Sequence, residues 1–299
     1  QALEVRDIIF SGLELMAAER NPDKRFCAIV VGGGPTGVET AGALAEMKTQ
    51  GLPVLYPEIG VDNFHVVLVE MTDRLLGPFD RRLQRYTKRA LARLGVDVRL
   101  NTAVKEVFPD HVDFADGSQL ACDIVIWASG VGAHSVVKDW GLPQGRGGRI
   151  LVEPDQQVVG FEDVYAAGDA CLCESEPQPQ LAQPAIQQGK LVAQNILAAQ
   201  DGGAQETFVY HDKGTMATIG RNAAVVQLPN GTKFTGFPAW LMWVLVHIAT
   251  LLGGRNRISA MLNMGVRYLS WPKSAVGIIG DYVDAPSKLK APEEDEDVS

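Results

Sequence analysis

Leu3, Ile8, Ile9, Leu13, Leu15 and Met16 recur at roughly helical spacing and stop before Asn21-Pro22, which predicts a leading helix over residues 1–20. The pattern then changes. Phe26–Val31 is an uninterrupted apolar run, as expected of a strand buried on both faces of a parallel sheet. The glycine turn Gly32-Gly33-Gly34-Pro35-Thr36-Gly37 follows at once, and Val38 to Met47 returns to helical spacing. His65–Glu70 reads as a second buried strand, Arg81–Leu94 as a helix and Val96–Leu100 as a third strand, with Gln50–Asn63 as a Pro- and Gly-bearing insertion. This βαβαβ series predicts right-handed crossovers and a parallel sheet.

Further along, Val104–Val107 and Val112–Phe114 suggest small antiparallel strands, and Ile124–Trp127 another buried strand ending in Ala128-Ser129-Gly130. Ile150–Val152 and Val164–Ala167 read as strands flanking a loop, and Gln183–Ala199 as a helix. Pro229-Asn230-Gly231 marks a hairpin between Ala224–Leu228 and Thr232–Phe234. Beyond Tyr282 the chain carries Pro286 and Glu293–Asp297 without aromatic residues, the composition of a disordered acidic tail over 283–299.

Charge sharpens the picture at the C-terminal end. The 299 residues hold 27 Lys and Arg against 36 Asp and Glu, net −9, which argues against nucleic acid as a partner. Lys233, Arg255, Arg257, Arg267 and Lys273 nevertheless lie in a stretch without any acid, together with Trp240, Trp243 and Trp271, three of the five tryptophans. That is the composition expected near anionic lipid headgroups. Trp240–Leu252 is apolar for 13 residues, about 20 Å of helix and short of a ~30 Å hydrocarbon core. Asn256, Ser259, Asn263, Arg267 and Ser270 fall on one helical stripe and Ile258, Met261, Leu262, Tyr268 and Leu269 on another. Residues 238–271 are thus expected to lie in a membrane interface, not to cross it. Packing into the protein core or a dimer interface is the alternative.

The strongest chemical signal is the strand, turn and helix around Gly32. Gly32 permits the tight turn, Gly34 lets the backbone approach a pyrophosphate and Gly37 lets helix and strand pack closely, the arrangement of a dinucleotide site. Glu70, at the end of the second strand, would accept hydrogen bonds from ribose hydroxyls and repel a 2′-phosphate, favouring NADH over NADPH; nearby Arg74 opposes that preference. Gly130 is a second place where backbone can approach a cofactor. Cys27, Cys122, Cys171 and Cys173 lack CxxC spacing, and the five histidines are scattered, so reduced thiols and no metal site are expected.

Gly32–Glu39 (GGGPTGVE), Val164–Asp169 (VYAAGD) and Ala182–Gly189 (AQPAIQQG), in that order, resemble the two-dinucleotide-binding flavoproteins of the pyridine nucleotide-disulfide oxidoreductase family, specifically the type II NADH dehydrogenases. The resemblance runs from about residue 1 to about residue 282. It implies an α/β fold: the leading helix of an FAD domain (1–20), a Rossmann-like NADH domain (21–145), the C-terminal part of the FAD domain with a quinone-site helix (146–204), and a β-hairpin and amphipathic-helix module for membrane association or dimerisation (205–282). Hydride transfer from NADH to FAD and reduction of a membrane quinone at the cytoplasmic face of the cell membrane, by a homodimer, are what it implies chemically. In that reading Asp169 bonds the flavin's ribityl hydroxyls, Gly168 and Ala185 are further cofactor-binding positions, Gln183 and Gln187 stand near the isoalloxazine and the quinone headgroup, and Glu39 lies between the nicotinamide and quinone sites. Family members begin with an FAD-binding glycine fingerprint, which nothing before Gly32 supplies, so the chain is expected to hold half of a flavin site. A sulfide:quinone or other pyridine-nucleotide-dependent reductase, and a remnant binding NADH and membrane without turnover, are the competing expectations.

Overall fold

The computed structural model describes residues 2–19, 21, 23–251 and 253–270. Pro22, Leu252, Trp271, Lys273 and the acidic tail lie outside the described residues, as do the side chains of Arg267, Tyr268, Leu269 and Ser270.

Helix α1 (Ala2–Glu19) buries Ile9, Leu13 and Met16. A Cβ on Gly12 would run into the Phe26 ring, so glycine sets how closely α1 lies on strand β1 (Phe26–Val31). Helix α2 (Pro35–Glu46) follows the glycine turn and does not stop near Met47 as its spacing predicts. It runs on through one π-helical turn (Met47–Gly51) into the short α3 (Leu52–Leu55), so half of the expected insertion is helix. Pro53 is tolerated because it falls at the start of that renewed helical turn, where its missing N–H has little to bond. Strand β2 (Phe64–Val69), helix α4 (Arg81–Arg93) and β3 (Val96–Arg99) complete the expected series. An antiparallel trio, β4 (Val104–Val107), β5 (His111–Phe114) and β6 (Gln119–Ala121), leads to β7 (Ile124–Trp127).

Strands β1, β2, β3 and β7 pair in parallel in the order β3-β2-β1-β7. Strand alternation explains why their sequences read as continuous apolar runs. Ala28, Val30, Val66 and Leu68 face α1, α2 and α4, whereas Ile29, Val31, Val67 and Val69 face Val112 and Phe114 of the antiparallel trio.

The chain then enters a separate compact unit, Gly130–Gly214. Its core joins Val137, Val152 and Val158 to β8 (Ile150–Leu151), which pairs in parallel with β9 (Cys171–Leu172). Val164–Ala167 is not the strand its composition predicts. Backbone bends at Gln156 and Asp163, both with positive φ, leave a single bridge, Gln157 to Tyr165, in place of a ladder. Helix α5 (Ala182–Gln200) closes this unit.

From Thr215 the chain returns to the first unit. Strands β10 (Thr215–Thr218), β11 (Ala224–Gln227) and β12 (Lys233–Gly236) form an antiparallel sheet, with the Asn230 side chain accepting the Thr232 amide in the hairpin turn. One face of this sheet sends Ala217, Ile219 and Val225 into the core that α2 and α4 share. The other packs Ala224 and Val226 against Ala239 of α6 (Phe237–Thr250), which α7 (Gly254–Ser270) follows. The compact units therefore divide the chain differently from the boundaries expected at residues 20, 145 and 204: α1 and the C-terminal hairpin are built into the parallel-sheet unit, because their apolar faces share its core.

Candidate functional site

Two glycines of the turn are fixed by close backbone contacts. Gly32 sits at φ +115°, and a Cβ there would lie 2.7 Å from the Ala128 carbonyl oxygen. A Cβ on Gly37 would run into the Gly32 carbonyl, so α2 and the end of β1 touch backbone to backbone. Gly34, by contrast, faces open space. It is the N-cap of α2, no side chain caps the helix, and the first-turn amides are left for an anionic ligand, as a pyrophosphate cradle requires. Ser129 Oγ donates to the Val31 carbonyl and fixes the end of β7 beside this turn.

Glu70 follows β2 directly, but it is not a freely solvated acid. Its Oε2 accepts the Gly33 amide at 2.6 Å and its Oε1 accepts the Thr72 amide at 2.8 Å. Each carboxylate oxygen keeps a lone pair for a ribose hydroxyl. Arg74 is tied to Asp73 at 2.6 Å. It belongs to a groove lined also by Asp73, Arg81, Gln84, Arg85 and Lys88, a mainly cationic feature that the glycine motif does not reveal.

Glu39 lies one residue past the first turn of α2, not within it. Its Oε1 accepts the Thr218 amide at 3.0 Å, so the carboxylate stitches α2 to the end of β10. Close by, a Cβ on Gly42 would stand 2.6 Å from the Gly220 nitrogen, a backbone contact between α2 and the turn that follows β10.

The Gly130–Gly214 unit holds the other group of residues. Gly130 has φ +108° with open space where a Cβ would be. Gly168, at φ +76°, faces Ala185 so closely that a Cβ would come within 3.1 Å of the Ala185 methyl, which brings these two expected positions together at the start of α5. Asp169 beside it is exposed and uses its carbonyl, not its carboxylate, to accept from Gln180 Nε2 at 3.1 Å. Gln183 is half-buried and makes no side-chain hydrogen bond among the described residues. Gln187 is engaged at both ends of its amide by the His211 backbone.

Two polar residues here were not singled out from sequence. Gln188 is buried and its Oε1 accepts the Gly168 amide at 2.7 Å, locking the Gly-Asp turn to α5. Asn195, also buried, bonds the Asp155 and Glu206 carbonyls and the Glu206 amide. Burial would have been the signal for both, and a polar residue on an amphipathic helix does not announce its own burial.

Three of the four thiols are poor nucleophiles. Burial pushes Cys27 up to about 12 and Cys122 and Cys171 up to about 11, so all three are protonated at neutral pH. Among the described residues no group of His, Cys, Asp and Glu is placed to hold a metal ion, and no helix is long and apolar enough to cross a membrane.

The pyridine nucleotide-disulphide oxidoreductase family model matches residues 10–189, from α1 through the glycine turn and the Gly-Asp turn into α5. The chain belongs to this family. The NDH2 C-terminal domain model matches residues 212–270, the segment of β10–β12, α6 and α7. Among relatives of this family member, the type II NADH:quinone oxidoreductase Ndh of Mycobacterium tuberculosis is 32% identical over 97% of the chain and 65% of its own length. The internal alternative NAD(P)H-ubiquinone oxidoreductase A1 of Arabidopsis thaliana mitochondria is 34% identical over 79% of the chain and 49% of its own length. The chain thus spans less than two thirds of the length of these relatives. The structure of NDH2 from Plasmodium falciparum in complex with NADH has the same fold, with a TM-score of 0.80 at 19% identity over 93% of the chain and 73% of that protein.

Proposed function

We propose that this chain is the nicotinamide-binding and membrane-facing portion of a type II NADH:quinone oxidoreductase, with part of the flavin site. The observation that carries the reading is the junction, in one chain, of a dinucleotide-type glycine turn with a segment matching the NDH2 C-terminal domain. Other reductases of the family share the first feature without requiring the second.

In this reading the free amides at the start of α2 take the NADH pyrophosphate, Gly34 gives it room, and Glu70 accepts the ribose hydroxyls with the lone pairs not used by Gly33 and Thr72. Gly130 provides a second open backbone approach. The open side of the Gly168–Asp169 turn and the uncapped start of α5 fit FAD, with the Asp169 carboxylate free for ribityl hydroxyls. FAD supplies two-electron acceptance from NADH and delivery to a quinone. Gln183 offers an unengaged amide to a quinone carbonyl, Gln187 holds the wall behind it, and Glu39 fixes α2 to β10. The raised Cys27, Cys122 and Cys171 argue against a sulfide:quinone reductase, which needs a reactive thiolate at the flavin.

Membrane association at the cytoplasmic face, by a homodimer, belongs to the same reading. Ile258, Met261 and Leu262 of α7 are 61%, 57% and 65% exposed, so the apolar stripe of this helix has no cover within the described chain. Purified protein supplemented with FAD decides the function: NADH should bleach the flavin and a short-chain quinone should restore it. Bleaching by sulfide and not by NADH would reject the reading. NADH binding without flavin retention would favour a non-catalytic remnant, and sedimentation velocity reports the dimer.

A further inference from the structure

Helix α4 carries six cations, Arg81, Arg82, Arg85, Lys88, Arg89 and Arg93, and no acid. All six are exposed, and among the described residues none of them pairs with a carboxylate. The buried face is supplied by Leu83, Gln84, Thr87 and Leu91, so the cations cover the whole outward arc of a helix about 20 Å long. In a chain of net charge −9, so dense an uncompensated cluster is electrostatically costly unless an anionic partner meets it.

The position of α4 names that partner. Its N-cap Asp80 pairs with Lys233 of β12 at 2.9 Å and donates its amide to Gln227 of β11 at 2.8 Å. A Cβ on Gly236 would lie 3.3 Å from the Tyr86 hydroxyl, and Gly236 is the N-cap of α6. The cationic face is therefore fastened to the strand that launches α6, whose exposed Phe237, Leu241 and Leu245 form an apolar row at four-residue spacing. A nucleic acid would use the cations and leave that row in water. A bilayer surface with anionic headgroups uses both.

We propose that the solvent face of α4 is an electrostatic contact for anionic lipid headgroups, working beside the apolar row of α6. It rests on the membrane-associated reading above and adds a lipid-specific element to it, on a helix of the nucleotide-binding sheet and outside the C-terminal segment. Arg81, Arg85 and Lys88 line one groove beside the Asp73–Arg74 ion pair, which gives one headgroup phosphate several donors not held by a carboxylate.

The test is co-sedimentation of the full chain with vesicles of phosphatidylcholine alone and of phosphatidylcholine with about one third phosphatidylglycerol. The variant Arg82→Gln with Arg85→Gln, Lys88→Gln and Arg89→Gln keeps good helix formers at every position. At roughly five-fold per cation, it should lose at least ten-fold in partitioning to anionic vesicles, with a shallower salt dependence, and bind neutral vesicles as the wild type does. The companion variant Arg82→Lys, Arg85→Lys and Arg89→Lys should bind anionic vesicles like the wild type. Trp240→Glu with Leu245→Glu should instead lower binding to both vesicle types. Wild-type protein that stays in the supernatant with both vesicles would overturn the membrane reading and this proposal together. Wild-type binding that the glutamine variant leaves unchanged on anionic vesicles would overturn this proposal alone. Loss on both vesicle types would also overturn it, as a packing effect.

Discussion

Gln187 and the His211 backbone form a closed pair: Nε2 donates to the His211 carbonyl at 3.0 Å and Oε1 accepts the His211 amide at 2.9 Å. A side chain occupied at both ends is a strut, whereas its neighbour one turn earlier, Gln183, has an amide to spare. The two glutamines of one helix face should therefore behave differently. Gln187→Ala removes two hydrogen bonds and should cost about 1–3 kcal/mol in denaturant unfolding. Gln183→Ala should leave stability within about 0.5 kcal/mol and slow the quinone half-reaction more than flavin reduction by NADH, read by stopped-flow. Equal slowing of both half-reactions by Gln183→Ala would remove it from the quinone site.

Glu70 performs two tasks with one carboxylate. In Glu70→Gln one oxygen can still accept the Gly33 or Thr72 amide, but the charge that would repel a 2′-phosphate is gone. The wild type should bind NADH more tightly than NADPH, and the variant should narrow that ratio several-fold, mainly through better NADPH binding. Fluorescence titration with both nucleotides measures this, and equal affinities in the wild type would sink the assignment.

The contact between Gly42 and Gly220 leaves no room for a methyl group. Gly42→Ala should lower stability by about 1–3 kcal/mol, because backbone on the far side cannot give way as a side-chain tip can. Thermal unfolding followed by circular dichroism checks it. A neutral or stabilising result would mean that α2 and β10 separate at little cost.

His65, on β2, has a buried Nε2 without a partner, and burial, aided by Lys48 and Arg25, holds its pKa below the usual 6.5. The folded state thus favours the neutral ring more than the unfolded state does. Its contribution is fully present above about pH 6.5 and is lost as pH falls through the lowered folded value. Denaturant midpoints at pH 7.5 and pH 5 should differ less in His65→Gln than in the wild type. An unchanged pH dependence would assign the acid sensitivity to other groups.

How much of this was legible beforehand depended on range. The apolar run Phe26–Val31 and the glycine turn after it are local, so the parallel sheet and the turn could be read directly from sequence. What escaped was set by distant partners: Gln188 gains its role only because Gly168 folds back onto it, and Val164–Ala167 loses its ladder to bends at Gln156 and Asp163. The basic face of α4 was visible as letters, and it became informative only once β11 and β12 were seen to anchor that helix.

The return of the chain at Thr215 to the unit it left at Ser129 has a consequence for biosynthesis. Ala217, Ile219 and Val225 complete the core against α2 and α4, so the glycine turn leaves the ribosome long before the layer that covers its helix exists. Throughout the synthesis of the intervening unit, the Gly42 side of α2 waits uncovered, an apolar surface exposed to neighbours in the cell. The C-terminal segment is therefore the last-made cover of the first helix after the glycine turn.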